Sequence, residues 1–314
     1  MKTEDIPFFA SIIGREIIFI RKELQGLPRE KWTNVPVYQN YRFCNVHRCY
    51  DKTFRLIHKL DSMLQASQHK ELHPGLRTVL RWSASNDMIE WLLDNLRNKT
   101  KISSDILSAN ENCPGELFKQ ILNAYYENKI KLVSGSFIVK RYGNDYEEMN
   151  LYYKAGTDFY NAFVEPFYEN GTQRSSKDAV KFFKDNAPWC ADFGAYCIVS
   201  DWLYLEPELW SDKYEWTAYG PGAFRGINLI IDTNKGNYLK HLQMLREEWL
   251  SHAQDMMNVI CKETGFTESA IDNLCVDNGY LPMSMLLKYP LMLDVEHWLC
   301  EYAKYIRGWA RKKY

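Results

Sequence analysis

Over almost all of its 314 residues the chain repeats apolar side chains at spacings of three and four, in helix-length segments cut by Pro, Gly and Asn. Each such segment carries one apolar stripe that must be buried against another, so the pattern predicts an all-α, mostly helical protein. Helices are expected near 4–25, 43–65, 75–97, 103–109, 115–128, 145–169, 176–185, 194–205, 237–263, 267–274 and 294–311. Only Lys129 to Tyr142 alternates in the manner of strands, around Ser134-Gly135, which allows at most a short β-hairpin near 129–142. No Pro/Gly/Ser-rich linker interrupts residues 1–314. One helical unit is therefore expected, or two intimately packed helical lobes with a cleft between them.

With 46% apolar residues the chain is too hydrophobic to be disordered. Its 39 Lys+Arg against 40 Asp+Glu give a net charge of −1, which excludes a protein that coats nucleic acid through bulk positive charge. Any contact with phosphate must come from a local patch. The eight cysteines form no CxxC pair and no set at zinc or iron–sulfur spacing, so neither a metal nor an organic cofactor is expected. Acids in Met1-Lys2-Thr3-Glu4-Asp5 stand where a secretory leader needs cations, and no apolar run approaches the roughly 18 residues of a membrane span. A cytoplasmic location is the expectation.

Two segments are more informative on a helical wheel. From Phe43 to Leu60, Val46, Cys49, Tyr50, Leu56, Ile57 and Leu60 share one side, and Asn45, Arg48, Lys52, Arg55 and Lys59 share another. The cationic side is either a solvated face or a surface that tracks phosphates, with Asn45 available to a base. From Asp294 to Trp309, Val295, Trp298, Leu299, Tyr302, Tyr305, Ile306 and Trp309 form a core stripe bordered by Asp294, His297, Glu301 and Lys304. Facing a cleft, those four groups would shift one another's pKa values toward catalysis; facing solvent, they would be an ordinary salt-bridge ladder.

Two turns could hold phosphate. Residues 176–205 read as helix, tight turn through Gly194, and second helix, a helix–hairpin–helix pattern whose exposed N–H groups can bind a DNA phosphate without net charge. The run Gly220-Pro221-Gly222-Ala223-Phe224-Arg225-Gly226 lacks the spacing of Walker or Rossmann loops. Its glycines permit close approach of the backbone to a ligand, and Arg225 offers a planar fork, although plain turn chemistry also explains Gly-Pro-Gly.

Taken together these segments resemble a known set. Tyr41-Arg42-Phe43-Cys44-Asn45-Val46-His47-Arg48-Cys49-Tyr50-Asp51-Lys52, then Phe193-Gly194-Ala195-Tyr196 to Asp201, Gly220 to Gly226, and Asp294-Val295-Glu296-His297-Trp298-Leu299-Cys300-Glu301-Tyr302-Ala303-Lys304-Tyr305 occur in that order. They are similar to the α-glutamyl/putrescinyl thymine pyrophosphorylase family, also described as the helical domain of 5-hydroxymethyluracil DNA kinases. Lys52 stands where that family often has Arg, and Trp202 where an aliphatic residue is usual.

The resemblance implies a helical fold related to helix–hairpin–helix DNA glycosylases, including phage-defence glycosylases, and double-stranded DNA carrying modified pyrimidines as the partner. The expected activity is excision of a hypermodified pyrimidine by base flipping, through an oxocarbenium-like sugar stabilised by a carboxylate. The alternative is transfer of an amino acid or polyamine that displaces pyrophosphate from an activated hydroxymethyl-pyrimidine. Asp201 or Asp294 is the candidate carboxylate. Lys304 is a candidate amine nucleophile or a partner of Glu301, and His297 an orienting group. Asn45, Arg48, Asp51, Lys52, Gly194, Gly220, Pro221, Gly222 and Arg225 are candidates for contact with DNA or base.

Overall fold

The structure, a computed structural model, describes residues 6–41, 43–66, 71–134, 144–187 and 192–310. The chain falls into two compact units, one discontinuous, Met1–Asp51 with Asp212–Tyr314, and the other continuous, Lys52–Ser211. The discontinuous unit begins with α1 (Ile6–Phe19) and the short α2 (Pro36–Asn40). The continuous unit then supplies α3 (Lys52–Ala66), α4 (Pro74–Ser83), α5 (Asn86–Arg97), α6 (Ile102–Asn110), α7 (Gly115–Tyr126), α8 (Asp145–Phe159), α9 (Glu165–Asn170), α10 (Ser176–Asn186) and α11 (Asp192–Leu205). The chain returns to the first unit for α12 (Pro221–Ile227), α13 (Tyr238–Thr264), α14 (Glu268–Asp277), α15 (Met283–Lys288) and α16 (Met292–Ala310).

The all-α class is as the periodicity predicts. Among the described residues there is no strand, only an isolated bridge between Arg174 and Trp210. Lys129 to Ser134 form turns, and the rest of the expected hairpin, like the turn at 188–191 between α10 and α11, lies outside the described residues. No described helix is long and apolar enough to cross a membrane.

Several expected helices are reshaped, the first of them, 4–25, closing in a π-helical turn at Ile20–Leu24. The span 75–97 is two helices, because Ala84 takes a left-handed φ of 45° and Ser85 starts a new helix, its Oγ accepting from the Met88 N–H. The span 145–169 contains a π-helical turn, Tyr160–Val164, immediately before Pro166. A proline there removes a donor and its ring crowds the carbonyl of Ala162, so the preceding turn widens. The span 43–65 becomes helical only at Lys52, where one unit ends and the other begins. Arg48–Tyr50 instead form a single 3-10 turn, closed by the Asn45 side chain donating to the Tyr50 carbonyl at 2.6 Å. Asn45 and Arg48 therefore share no helical face with Lys52, Arg55 and Lys59.

In the discontinuous unit Trp249 and Trp298, 4.6 Å between ring centroids, stand at the centre of the core, with Phe19 stacked on Tyr50 at 4.5 Å. The continuous unit buries Phe159 against Phe183 at 4.9 Å and, stacked more distantly, against Trp210 at 6.4 Å. Its tightest helix pair is α4 on α8, where a Cβ on Gly75 would stand 2.5 Å from the Tyr153 carbonyl oxygen and one on Gly156 2.6 Å from Thr78 Cβ.

Candidate functional site

In the discontinuous unit the side chains expected to form a catalytic stripe on α16 hold the extended segment 44–47. His297 Nε2 donates to the Asn45 carbonyl at 2.9 Å, Trp298 Nε1 to that of Val46 at 3.1 Å, and Glu301 Oε2 accepts the Cys44 N–H at 3.1 Å. From α1, Arg15 Nη2 donates to the carbonyls of Cys44 and Asn45 at 2.9 and 2.8 Å. These bonds outweigh the local helical tendency of 43–51.

The electrostatics follow from that burial. Desolvation first, and then the guanidinium charges of Arg48 and Arg15, hold the His297 imidazole well below its ordinary value, so the ring is neutral and donates. Burial pulls Lys304 down, but its 2.5 Å bond to Glu301 and that carboxylate's charge outweigh the pull and leave the ammonium raised. Of the two roles expected for Lys304, the structure shows the pairing with Glu301, which holds it as a cation.

Asp294 holds a histidine that the sequence reading left out. His47 Nδ1 donates to Asp294 Oδ1 at 3.1 Å, and His47 Nε2 lies 3.2 Å from Glu16 Oε1, off the line of a good hydrogen bond. All three side chains are fully buried. Burial pulls the imidazole down, yet the charge and hydrogen bond of Asp294, reinforced by Glu16, lift it to about 9. The other oxygen of Asp294 accepts the Leu291 N–H at 2.9 Å at the start of α16. A second group missed in the sequence is Glu296, 7% exposed, whose carboxyl burial raises to about 7 against the pull of Arg48.

The glycines offered as a phosphate cradle serve the same helix. A Cβ on Gly220 would overlap the Glu296 carboxylate, one on Gly222 the Cys300 sulfur, and one on Gly226 the Leu299 carbonyl oxygen. Gly222 and Gly226, one turn apart, let α12 lie directly on α16, while Pro221 and Arg225 are exposed beside them. Gly194 lies in the first turn of α11 in the other unit, Asp51 is half-buried, and exposed Lys52 pairs with Glu90 at 2.7 Å.

Asp201 is in the continuous unit and is buried, with both carboxylate oxygens on Arg81 at 2.7 and 2.6 Å. This bidentate pair ties α11 to α4 and sets the next residue, Trp202, in place. Asp201→Ala leaves a guanidinium without its partner in a largely buried site, and destabilisation of about 3–5 kcal/mol is expected. The double variant Arg81→Met, Asp201→Leu should recover most of it in urea titrations.

Trp202 forms one wall of a cavity of about 1160 Å³, all of whose lining belongs to this unit. The Arg77 guanidinium stands 5.7 Å above the indole and pairs with Asp61 at 2.8 Å, and the Tyr160 ring lies 6.0 Å from it. The π-helical turn carries Tyr160 and Asn161 into the lining, and Asn112 reaches it from a left-handed turn at φ 74°. His73, stacked on Tyr153 at 4.8 Å, accepts from the Gly75 N–H at the start of α4. Burial lowers its pKa, so it is neutral at physiological pH. With Asp61 and Arg77 opposing each other, Glu71, Glu111, Glu165 and Glu206 remain, and no further Lys or Arg is among the described lining residues. Glu206 accepts a hydrogen bond from the Tyr168 hydroxyl. Neither the size of this cavity nor its charge is visible in the sequence, because its walls come from α3, α4, α6, α8, α9 and α11 and the turns beside them.

No characterised protein and no solved structure matches the chain. A family model described as the helical domain of 5-hmdU DNA kinase matches residues 7–313. That match spans nearly the full length of a mostly helical chain, and it includes each segment that carried the resemblance, so the protein belongs to the 5-hmdU DNA kinase helical-domain family.

Proposed function

We propose that the protein excises a bulky, 5-substituted pyrimidine from DNA, taking the flipped base into the cavity of its continuous unit. The family acts on a modified base in DNA, and the chain contains no P-loop for a phosphoryl transfer of its own. The observation that carries the choice of chemistry is the charge of the cavity. Breaking the N-glycosidic bond sends its electron pair to the base and leaves positive charge on the sugar, which a site lined by carboxylates stabilises. Water then adds to the anomeric carbon, and the proton it loses balances the one the departing base takes up. The competing reaction, displacement of pyrophosphate by an amine, would bring a multiply charged anion against the same carboxylates.

Size supports the same reading. Sites for small molecules usually enclose about 300–1,000 Å³. This cavity is slightly larger and admits a base with a substituent such as a sugar. Trp202 and Tyr160 supply flat apolar walls, and the amides of Asn112 and Asn161 can reach the polar edge of the base. Glu165 and Glu206 are the carboxylates assigned to the developing cation, with Tyr168 orienting Glu206. Asp201 acts through Trp202 as a positioning residue.

Purified protein incubated with DNA containing glucosylated hydroxymethyl-pyrimidines should produce alkali-labile abasic sites. Glu206→Gln should slow their formation by about 10²-fold or more without lowering the melting temperature. Intact DNA under all conditions, or undiminished cleavage by the Glu165→Gln, Glu206→Gln double variant, would overturn the proposal. An amine-dependent mass gain on the base would identify transfer instead.

A further inference from the structure

We infer that the segment 212–220 and the first turns of α13 form a stacking platform for a DNA strand, an inference that rests on the reading of the protein as a DNA enzyme. Two tyrosines there are exposed, Tyr214 at 36% and Tyr219 at 41%, and each has a cation against its ring. Lys213 Nζ stands 5.2 Å from the Tyr214 centroid, the Arg246 guanidinium 4.3 Å from the same ring, and Lys235 Nζ 5.3 Å from Tyr219. Exposed aromatic rings interleaved with cations are the recurrent solution for gripping a strand without reading its sequence, since every base has a π-face and every nucleotide a phosphate.

The platform is built rather than incidental. The Lys213 carbonyl accepts the Met292 N–H at 3.0 Å at the start of α16, and the Glu215 carbonyl accepts Gln243 Nε2 at 3.3 Å. Arg246 is fixed by its Nε donating to the Pro290 carbonyl at 2.7 Å, and the Tyr219 ring meets Tyr238 edge-on at 5.3 Å. The loop therefore runs along α13 from Tyr238 to Arg246, a rise of about 12 Å. At about 3.4 Å of axis per phosphate on one strand, that length spans three to four phosphates. Between 212 and 248 five Lys and Arg are matched by five Asp and Glu, and three of the cations, Lys213, Lys235 and Arg246, are gathered at the two exposed rings. This is the local patch that a near-neutral chain needs if it is to hold DNA. Charge complementarity favours DNA over a protein partner, because the rings are flanked by Lys and Arg.

The test uses short unmodified oligonucleotides, single-stranded and duplex, on which the excision chemistry makes no demand. Tyr214→Ser and Tyr219→Ser are each expected to weaken single-strand binding at least about fivefold, while Tyr214→Phe and Tyr219→Phe retain it. The double variant Lys213→Gln, Lys235→Gln should flatten the dependence of log affinity on log salt by about 1.4, from roughly 0.7 per phosphate contact. Unchanged affinity and salt slope in these variants, with circular dichroism matching the parent protein, would overturn the platform. So would tyrosine-dependent self-association without any effect on DNA. Loss of binding in a protein that excises no base would uphold the platform and dismiss the excision reading separately.

Discussion

Gly226→Ala is expected to be among the most damaging single substitutions in the molecule, lowering stability by several kcal/mol. The added Cβ would overlap the Leu299 carbonyl oxygen and lie 2.7 Å from its carbonyl carbon. Overfilling a core usually costs about 1–3 kcal/mol because side chains can turn aside. Here the obstacle is helix backbone, so relief requires α12 to lift off α16, exposing Ala223 and Ile227 with it. Arg225→Ala, on the exposed side of the same helix, should change stability by no more than about 0.5 kcal/mol. Urea midpoints of the two variants decide the matter. A stable Gly226→Ala protein with weakened DNA binding would return this turn to the phosphate-binding role that its sequence suggests.

The second large effect is expected at His47. His47→Ala removes the cation between Glu16 and Asp294 and leaves two carboxylates fully buried, which should cost about 3–5 kcal/mol. The same imidazole gives the protein a pH dependence of definite sign. Its pKa is about 9 in the folded state against 6.5 in the unfolded chain, so its contribution, about 3 kcal/mol, is complete below pH 6.5 and is lost as pH rises through 9. Glu296 acts in the same direction at lower pH. With a folded value of about 7 against 4.5, it is better accommodated as the neutral acid, and stability falls as pH rises from 4.5 to 7. Unfolding free energies measured from pH 5 to 9 should decline throughout. Glu296→Gln should remove the lower part of that decline and His47→Ala the upper part; a flat profile in the parent protein would contradict both assignments.

The helical class, most helix positions and the family were legible in the sequence for one physical reason. Helical periodicity, caps and breakers act over three or four residues, and family motifs are read as linear strings. The same locality explains the failures. Residues 43–51 carry a good amphipathic pattern, but their backbone is held by Arg15, 29 residues before Cys44, and by His297 and Glu301 more than 250 residues beyond it. The titratable border of α16 looked like a reactive edge. Whether such an edge meets a cleft or another segment's carbonyls depends on what folds over it.

Charge supplied the other division. A chain of net charge −1 with no metal-binding spacing already pointed to local patches in place of bulk attraction. Residue order could not reveal that Asp201 would face Arg81, that Asp294 would face His47, or that Glu165 and Glu206 would border one cavity with Trp202. An ion pair or a cavity wall is a relation between distant stretches of chain, and its energy depends on burial that only the folded packing creates.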